Sequence, residues 1–287
     1  MDRIWQWAWD RYGARYSWAI YAVTVSEFLS IYLFCSFLIV AFERSDRYIE
    51  AAAVTVGTVL VMVYVTNLPG LGRSRLVERW ATGHEVDRDR TLDATYAWTR
   101  TVGARAVGAN AVFIALLFLL VGGIAGATGS RLVQYAIVGA AIGISVVLIA
   151  VHSIPEAALR PARVALAGDT GIGDSLPRSR PTFAAWSNLT VLAAAFAFAV
   201  AGAMLAVAID RVREAPVLVV VIGCGLTLFF AVPLTVGASF SPSLQPLRDL
   251  AEGTERVASG DYSQRLPVVQ AWSSQAPSAA EASWNSH

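Results

Sequence analysis

Glu27 is the residue whose type and position point most directly to chemistry. It stands in the apolar run Ala22-Val23-Thr24-Val25-Ser26-Glu27-Phe28-Leu29-Ser30-Ile31. A carboxylate inside such a run is costly, so it has to be neutral, paired or turned toward the interior of a helix bundle. On a helix, Thr24 and Ser30 share its face at i−3 and i+3 and are placed to share hydrogen bonds with it. The site suits a proton-sensitive switch or a polar contact for a lipid-like ligand. Its plainer alternative is a neutral carboxyl that fixes helix packing.

Other reactive residue types form no comparable site. His84, Glu85, Asp87 and Asp89 are metal-ligand types, but Arg88 and Arg90 interleave them in what reads as a solvated loop. The run Gly168-Asp169-Thr170-Gly171-Ile172-Gly173 is glycine-rich but has no strand before it, so it lacks the context of a phosphate cradle and reads as a flexible loop. Cys35 and Cys224 both lie in apolar runs and read as packing residues, since two ligands do not make a zinc site. No catalytic residue, no metal site and no cofactor is expected in this chain, and nothing points to nucleic acid.

The elements that would hold Glu27 follow from composition. The chain is 56% hydrophobic and 15% charged, well below the ~25% charge of a soluble domain. The apolar residues gather in six blocks, 17–41, 49–66, 106–126, 132–152, 187–209 and 216–240. Each is about the length a helix needs to cross ~30 Å of hydrocarbon, and a lone segment in lipid must be helical to satisfy its own backbone. The expected fold is all-α: a polytopic bundle of six transmembrane helices in three hairpins, with a connector helix after it.

All 22 basic side chains are Arg, a bias that suggests a GC-rich genome and an actinobacterial source. Arg3, Arg11 and Arg15 precede the first block. Arg73, Arg75, Arg79, Arg88, Arg90, Arg100 and Arg105 lie between the second and third. Arg160, Arg163, Arg178 and Arg180 lie between the fourth and fifth, and Arg248, Arg256 and Arg265 follow the sixth. The other links hold only Arg44, Arg47, Arg131, Arg211 and Arg213. The positive-inside rule then puts both termini and the two long links in the cytoplasm of a bacterial inner membrane. Met1–Trp18 has no apolar core or small-residue cleavage site and does not read as a cleavable signal. Trp5, Trp9, Tyr12 and Tyr16 recur at helical spacing and make residues 1–16 an expected interfacial segment. Gly122-x3-Gly126 and Gly139-x3-Gly143 read as close-packing points inside the bundle rather than a dimer face.

A threefold internal pattern runs through these elements. The odd spans begin with an aromatic and a Trp: Tyr16-Ser17-Trp18, Tyr96-Ala97-Trp98 and Phe183-Ala184-Ala185-Trp186. After the even spans, Pro69 leads to Glu78-Arg79-Trp80-Ala81-Thr82-Gly83, and Pro246 leads at the same distance to Glu255-Arg256-Val257-Ala258-Ser259-Gly260. Pro155 leads, one residue sooner, to Arg163-Val164-Ala165-Leu166-Ala167-Gly168. The expected unit is a hairpin plus a cytoplasmic helix. The external links are too short to hold a ligand domain, so a stimulus would arrive within or beside the membrane.

Residues 241–269 follow the sixth span. Pro246 opens a helix, where its missing N–H costs nothing. Leu247, Leu250, Thr254 and Val257 recur at coiled-coil spacing, Gly260-Asp261 ends the helix, and Leu266 is placed to fold the chain back on that seam. This stretch resembles the first half of a HAMP linker. With six membrane helices before it, the chain resembles the membrane half of actinobacterial, mycobacterial-type class III adenylyl cyclases. That resemblance implies a likeness of architecture over residues 1–269, with the specific motif in 246–269. It further implies a sensory and regulatory module, homodimeric through the linker, that controls a cytoplasmic domain making cyclic AMP from ATP with Mg or Mn. That domain, with its ATP and metal ions, is not in this chain, and the enzyme assignment rests on it. The stimulus would be lipid-like or another membrane protein. The second linker helix is missing, and residues 270–287 read as a disordered Ser/Ala-rich tail. Two other readings fit less of the pattern. A small-molecule transporter or permease would need broken helices and matching polar groups at the midplane, and a truncated, non-functional fragment is supported only by the tail.

Overall fold

The computed structural model describes residues 2–151, 153–168, 183–208, 217–229, 232, 251, 254–256 and 258–259. Among these residues there are nine α-helices and no strand. Helix α1 (Asp2–Tyr12) leads through a 3-10 turn at Gly13–Arg15 into α2 (Tyr16–Phe42), and α3 (Tyr48–Asn67) returns beside it. A short α4 (Arg73–Ala81) precedes the long α5 (Arg88–Ala125). Then follow α6 (Ser130–Ala150), α7 (Ser153–Ala167), α8 (Phe183–Ala208) and α9 (Val217–Leu226).

Local chemistry sets the ends. Leu68 closes α3 in the left-handed region at φ +46°, and Pro69 after it cannot continue a helix. Gly126 closes α5 at φ +104°, where a side chain would be strained. Its N–H and that of Ala127 return to the carbonyls of Gly123 and Gly122 at 3.1 and 2.9 Å.

Among the described residues, four helical stretches are long and apolar enough to cross a membrane: Arg3–Phe42, Tyr48–Asn67, Arg88–Ala125 and Ser130–Ala167. They contain the first four expected spans. Of the fifth and sixth, α8 covers most of 187–209 and α9 begins 216–240, whose end lies outside the described residues. The polar link between the second and third spans holds a helix where the repeat pattern expects one and a loop at residues 82–87, and the rest of it is more helical than the span bounds suggest. It forms α4 and the first half of α5, well ahead of residue 106. Asp87 caps α5 by accepting from the Asp89 N–H at 3.0 Å. The segment is helical because it is amphipathic: Leu92, Thr95, Tyr96, Trp98 and Val102 are buried while Arg88, Arg90 and Arg100 are exposed.

Helices α2, α3, α5, α6 and α8 pack in a closed ring, with α2 also touching α5 across it. Tyr32, Ile39, Met62, Ile114, Leu117 and Phe118 fill its centre. The outer face is apolar too: Val61, Val112, Ile137 and Leu192 are 52%, 58%, 64% and 68% exposed. Such a surface is stable against lipid rather than water. Polar links between helices are few. Tyr32 donates to Asn110 Oδ1 at 2.7 Å, and Ser36 and Thr55 share a hydrogen bond of 2.7 Å. At the ring's far end Arg131 and Tyr135 both donate to Glu43, at 2.8 and 2.6 Å.

Small residues bring α5 and α6 together. A Cβ on Gly143 would lie 2.6 Å from the Asn110 carbonyl oxygen, and one on Gly139 would overlap the Ile114 carbonyl. One on Gly122 would lie 2.6 Å from the Tyr135 ring. These three glycines serve packing inside the bundle, whereas Gly126 is a helix end. Gly139→Val should therefore destabilise the folded chain by about 1–3 kcal/mol through overpacking. Gly108→Val, at a position open to its surroundings, should cost less than ~1 kcal/mol. Unfolding in mixed micelles checks both, and equal losses would mean the α5–α6 contact is not backbone-limited.

Candidate functional site

Glu27 lines a partly open cleft of about 660 Å³ between α2, α5 and the junction of α6 with α7. Ile20, Thr24, Phe28 and Ile31 of α2 share its wall with Val102, Gly103 and Ala106 of α5. Val146, Val147, Val151, Ile154 and Pro155 close the other side, and Thr66 and Asn67 at the end of α3 sit at its margin. Pro155 stands in the first turn of α7, where a missing N–H is harmless.

The three residues expected to act together are only partly assembled. Thr24 is buried and lines the cleft with Glu27, but its hydroxyl donates to its own helix, to the Ile20 carbonyl at 2.8 Å. Ser30 is exposed and donates to the Ser26 carbonyl at 3.0 Å. Glu27 has no hydrogen bond or ion pair among the described residues. Two polar groups that sequence reasoning passed over stand on the same cleft. Asn67 and Trp98 are 6% and 8% exposed, and neither Asn67 Nδ2 nor Trp98 Nε1 has a hydrogen-bond partner among the described residues. With Ile20 they form the wall to a smaller neighbouring cleft of about 400 Å³.

A collar of short helices surrounds this end of the ring. Helix α1 turns Trp5 and Ala8 onto Ala157, Ala158 and Leu159 of α7. Trp9 packs edge-on against Tyr16 and stacks with Trp80 of α4 at 6.3 Å. The aromatic face of the N-terminal segment is thus largely turned into the protein, with Trp7 and Tyr12 left exposed. Tyr16 donates to the Ala158 carbonyl.

Two charged side chains fasten the collar. Glu78 of α4 accepts from the Ser17 N–H at 3.1 Å and the Ser17 hydroxyl at 2.5 Å. A carboxylate there satisfies a first-turn donor of α2 and complements the helix dipole. Arg163 of α7 has no exposed surface. It pairs with Glu156 and lies with its guanidinium 4.1 Å from the Tyr96 ring centre. It also donates to Thr95 Oγ1 at 3.0 Å and Thr99 Oγ1 at 3.3 Å. Each anchor stands five residues before a glycine of positive φ, Gly83 at +78° and Gly168 at +49°. Each grips the first helix of its own hairpin beside the aromatic-Trp motif. The shared position was legible in sequence, but the anchors' opposite charges hid their common role.

The third repeat matches at its helix end. The Thr82 N–H donates to the carbonyls of Glu78 and Arg79 at 3.1 and 3.3 Å, and its hydroxyl to Arg79 at 2.8 Å. The Ser259 N–H donates to Glu255 and Arg256 at 3.0 and 3.1 Å, and its hydroxyl to Arg256 at 2.7 Å. Glu255, at the anchor position, is exposed, as is Thr254, whose hydroxyl donates to the Ala251 carbonyl at 2.8 Å. Pro246, Leu247, Leu250, Val257, Gly260, Asp261 and Leu266 lie outside the described residues.

The reactive residue types elsewhere have structural partners. His84 Nδ1 is 2.8 Å from the Thr82 hydroxyl, and Asp87 is the α5 cap. No group of three or more metal-ligand side chains comes together among the described residues. No known protein family, curated protein or solved structure matches the chain.

Removing the buried guanidinium with Arg163→Met should destabilise the chain by about 3–5 kcal/mol, because Glu156 loses its counterion inside the collar. Arg163→Met combined with Glu156→Gln should cost clearly less than the two single changes added together. Additive losses in thermal melts would show that the pair does not act as a unit.

Proposed function

We propose that this chain is the membrane-embedded sensory and regulatory part of a bacterial signalling protein. In this reading six helices span the inner membrane, both ends lie in the cytoplasm, and two copies pair through the connector that follows the sixth span. The connector passes a change in the bundle to a cytoplasmic adenylyl cyclase domain, which makes cyclic AMP from ATP with Mg or Mn. The observation that carries the reading is the repeated helix end. Two collar helices are anchored by Glu78 and Arg163 on their own hairpins, while the matching Glu255 of the third is exposed. A helix end built like the two anchored ones, with the matching carboxylate exposed, suits an element that transmits motion. The shortness of the external links supports a stimulus that arrives within the membrane.

The orientation is tested by reporter fusions. A periplasm-active reporter should work when inserted at Gly129 and fail at Thr82 or Gly260, and the reverse pattern would overturn the topology. The signalling role is tested by joining residues 1–269 to a complete linker and a cyclase domain. Glu78→Gln and Glu255→Gln should each shift cyclic AMP output by roughly twofold to thirtyfold, as coupling energies of about 0.5–2 kcal/mol would produce. Unchanged output from a folded, dimeric fusion carrying either change would remove the sensory reading.

A further inference from the structure

The cleft beside Glu27 holds polar groups at two levels along a mostly apolar wall. We infer that it binds an uncharged amphiphile with a hydrogen-bonding group at each end, of the kind a medium-chain diol represents. The inference concerns the cleft itself and goes beyond the sensory reading, since a binding site can serve a receptor or any other membrane protein.

At the margin, Asn67 Nδ2 and Trp98 Nε1 are buried donors without a partner among the described residues. Buried polar groups are normally satisfied, and each one left open is costly. A ligand oxygen at the margin would give such a donor its partner. Ile20 stands at that level, lining the same wall as Asn67 and Trp98 in both clefts. Glu27 follows seven residues later, roughly 10 Å farther along α2 at 1.5 Å per residue. Its carboxyl has no described partner and accepts a hydrogen bond from a ligand hydroxyl. Between the two levels the wall is Phe28, Val102, Val146 and Val147, which suits a hydrocarbon chain.

Charge sets the class. Among the described residues no side chain lining this cleft is cationic, so a carboxylate or phosphate head would enter beside Glu27 without a counterion from them. An ammonium could pair with Glu27 but would offer Asn67 and Trp98 no acceptor. A hydroxyl both donates and accepts, and so satisfies either end.

The test measures octanediol binding to the full chain in lipid nanodiscs by equilibrium dialysis, with empty discs subtracted for partition. Octanol, octanoate and octylamine serve as competitors. Saturable binding of one octanediol per chain is expected, with octanol about tenfold weaker for want of the second hydrogen bond and octanoate without effect. Asn67→Leu should weaken octanediol and octanol alike. Glu27→Leu should bring octanediol down to the level of octanol, whereas Glu27→Gln, which keeps an acceptor, should retain most of the difference. No saturable binding above empty discs, or octanoate or octylamine competing as well as octanediol, would overturn the inference. The competitor series needs no variant, so it decides the question even if a substitution impairs folding. Octanediol binding without any effect on cyclic AMP output from the cyclase fusion would leave the site standing and remove the sensory role.

Discussion

Arg163 carries a full charge at a point with no exposed surface, and the collar of helices around one end of the ring is arranged to make that tolerable. A buried guanidinium needs a counterion and acceptors for its donors. Glu156 supplies the charge from one turn of α7, Thr95 and Thr99 supply oxygens from α5, and Tyr96 covers the flat face. These contacts hold α7 against α5. With α7 in place, Ala157, Ala158 and Leu159 form the surface on which Trp5 and Ala8 of α1 rest, and Ala158 accepts from Tyr16 at the start of α2. The cleft next to Glu27 is roofed by the same segment, through Ile154, Pro155 and Ala158.

The ring itself is built on a different principle. Between apolar helices surrounded by lipid there is little hydrophobic force to gain, so close contact and a few hydrogen bonds decide the packing. Gly139 and Gly143 let α6 lie on the backbone of α5, and the Tyr32–Asn110 and Ser36–Thr55 links fix α2 against α5 and α3. Polar specificity is concentrated in the collar, apolar packing in the ring. The cleft lies where the two regimes meet, which is why it has donors without a partner among the described residues at its margin and hydrocarbon along its wall.

The repeated units use one position for two chemistries. Glu78 and Arg163 both stand five residues before a left-handed glycine, and both hold a collar helix to the hairpin from which it came. One does so by accepting from the free N–H of a helix start, the other by donating to threonine hydroxyls. The geometry is common to both because the distance from the capping glycine fixes which way the side chain faces. The charge differs because the first turns of α2 offer donors and the α5 face offers acceptors.

The sequence by itself determined the helical class, the approximate extents of the first, second and fourth apolar spans and the end of the third, and the position of Glu27 within α2. Hydrophobic blocks of membrane-crossing length can only be helices in lipid, whereas Gly126 reads as a packing point and only the structure shows it ending α5. It also made the repeat visible, since a shared spacing survives changes of residue type. It placed a helix after Pro69, where α4 lies, but could not show that the third apolar helix begins at Arg88, because an amphipathic segment with many charges reads as a loop until its buried face has a partner. Nor could it join Asn67 and Trp98 to Glu27, or Arg163 to Thr95. Those residues are separated by tens of positions, and only the packing of α7 and the end of α3 on α2 and α5 brings them to one place. Burial is a property of the assembled surface, so which polar groups are left without water was decided by the tertiary structure alone.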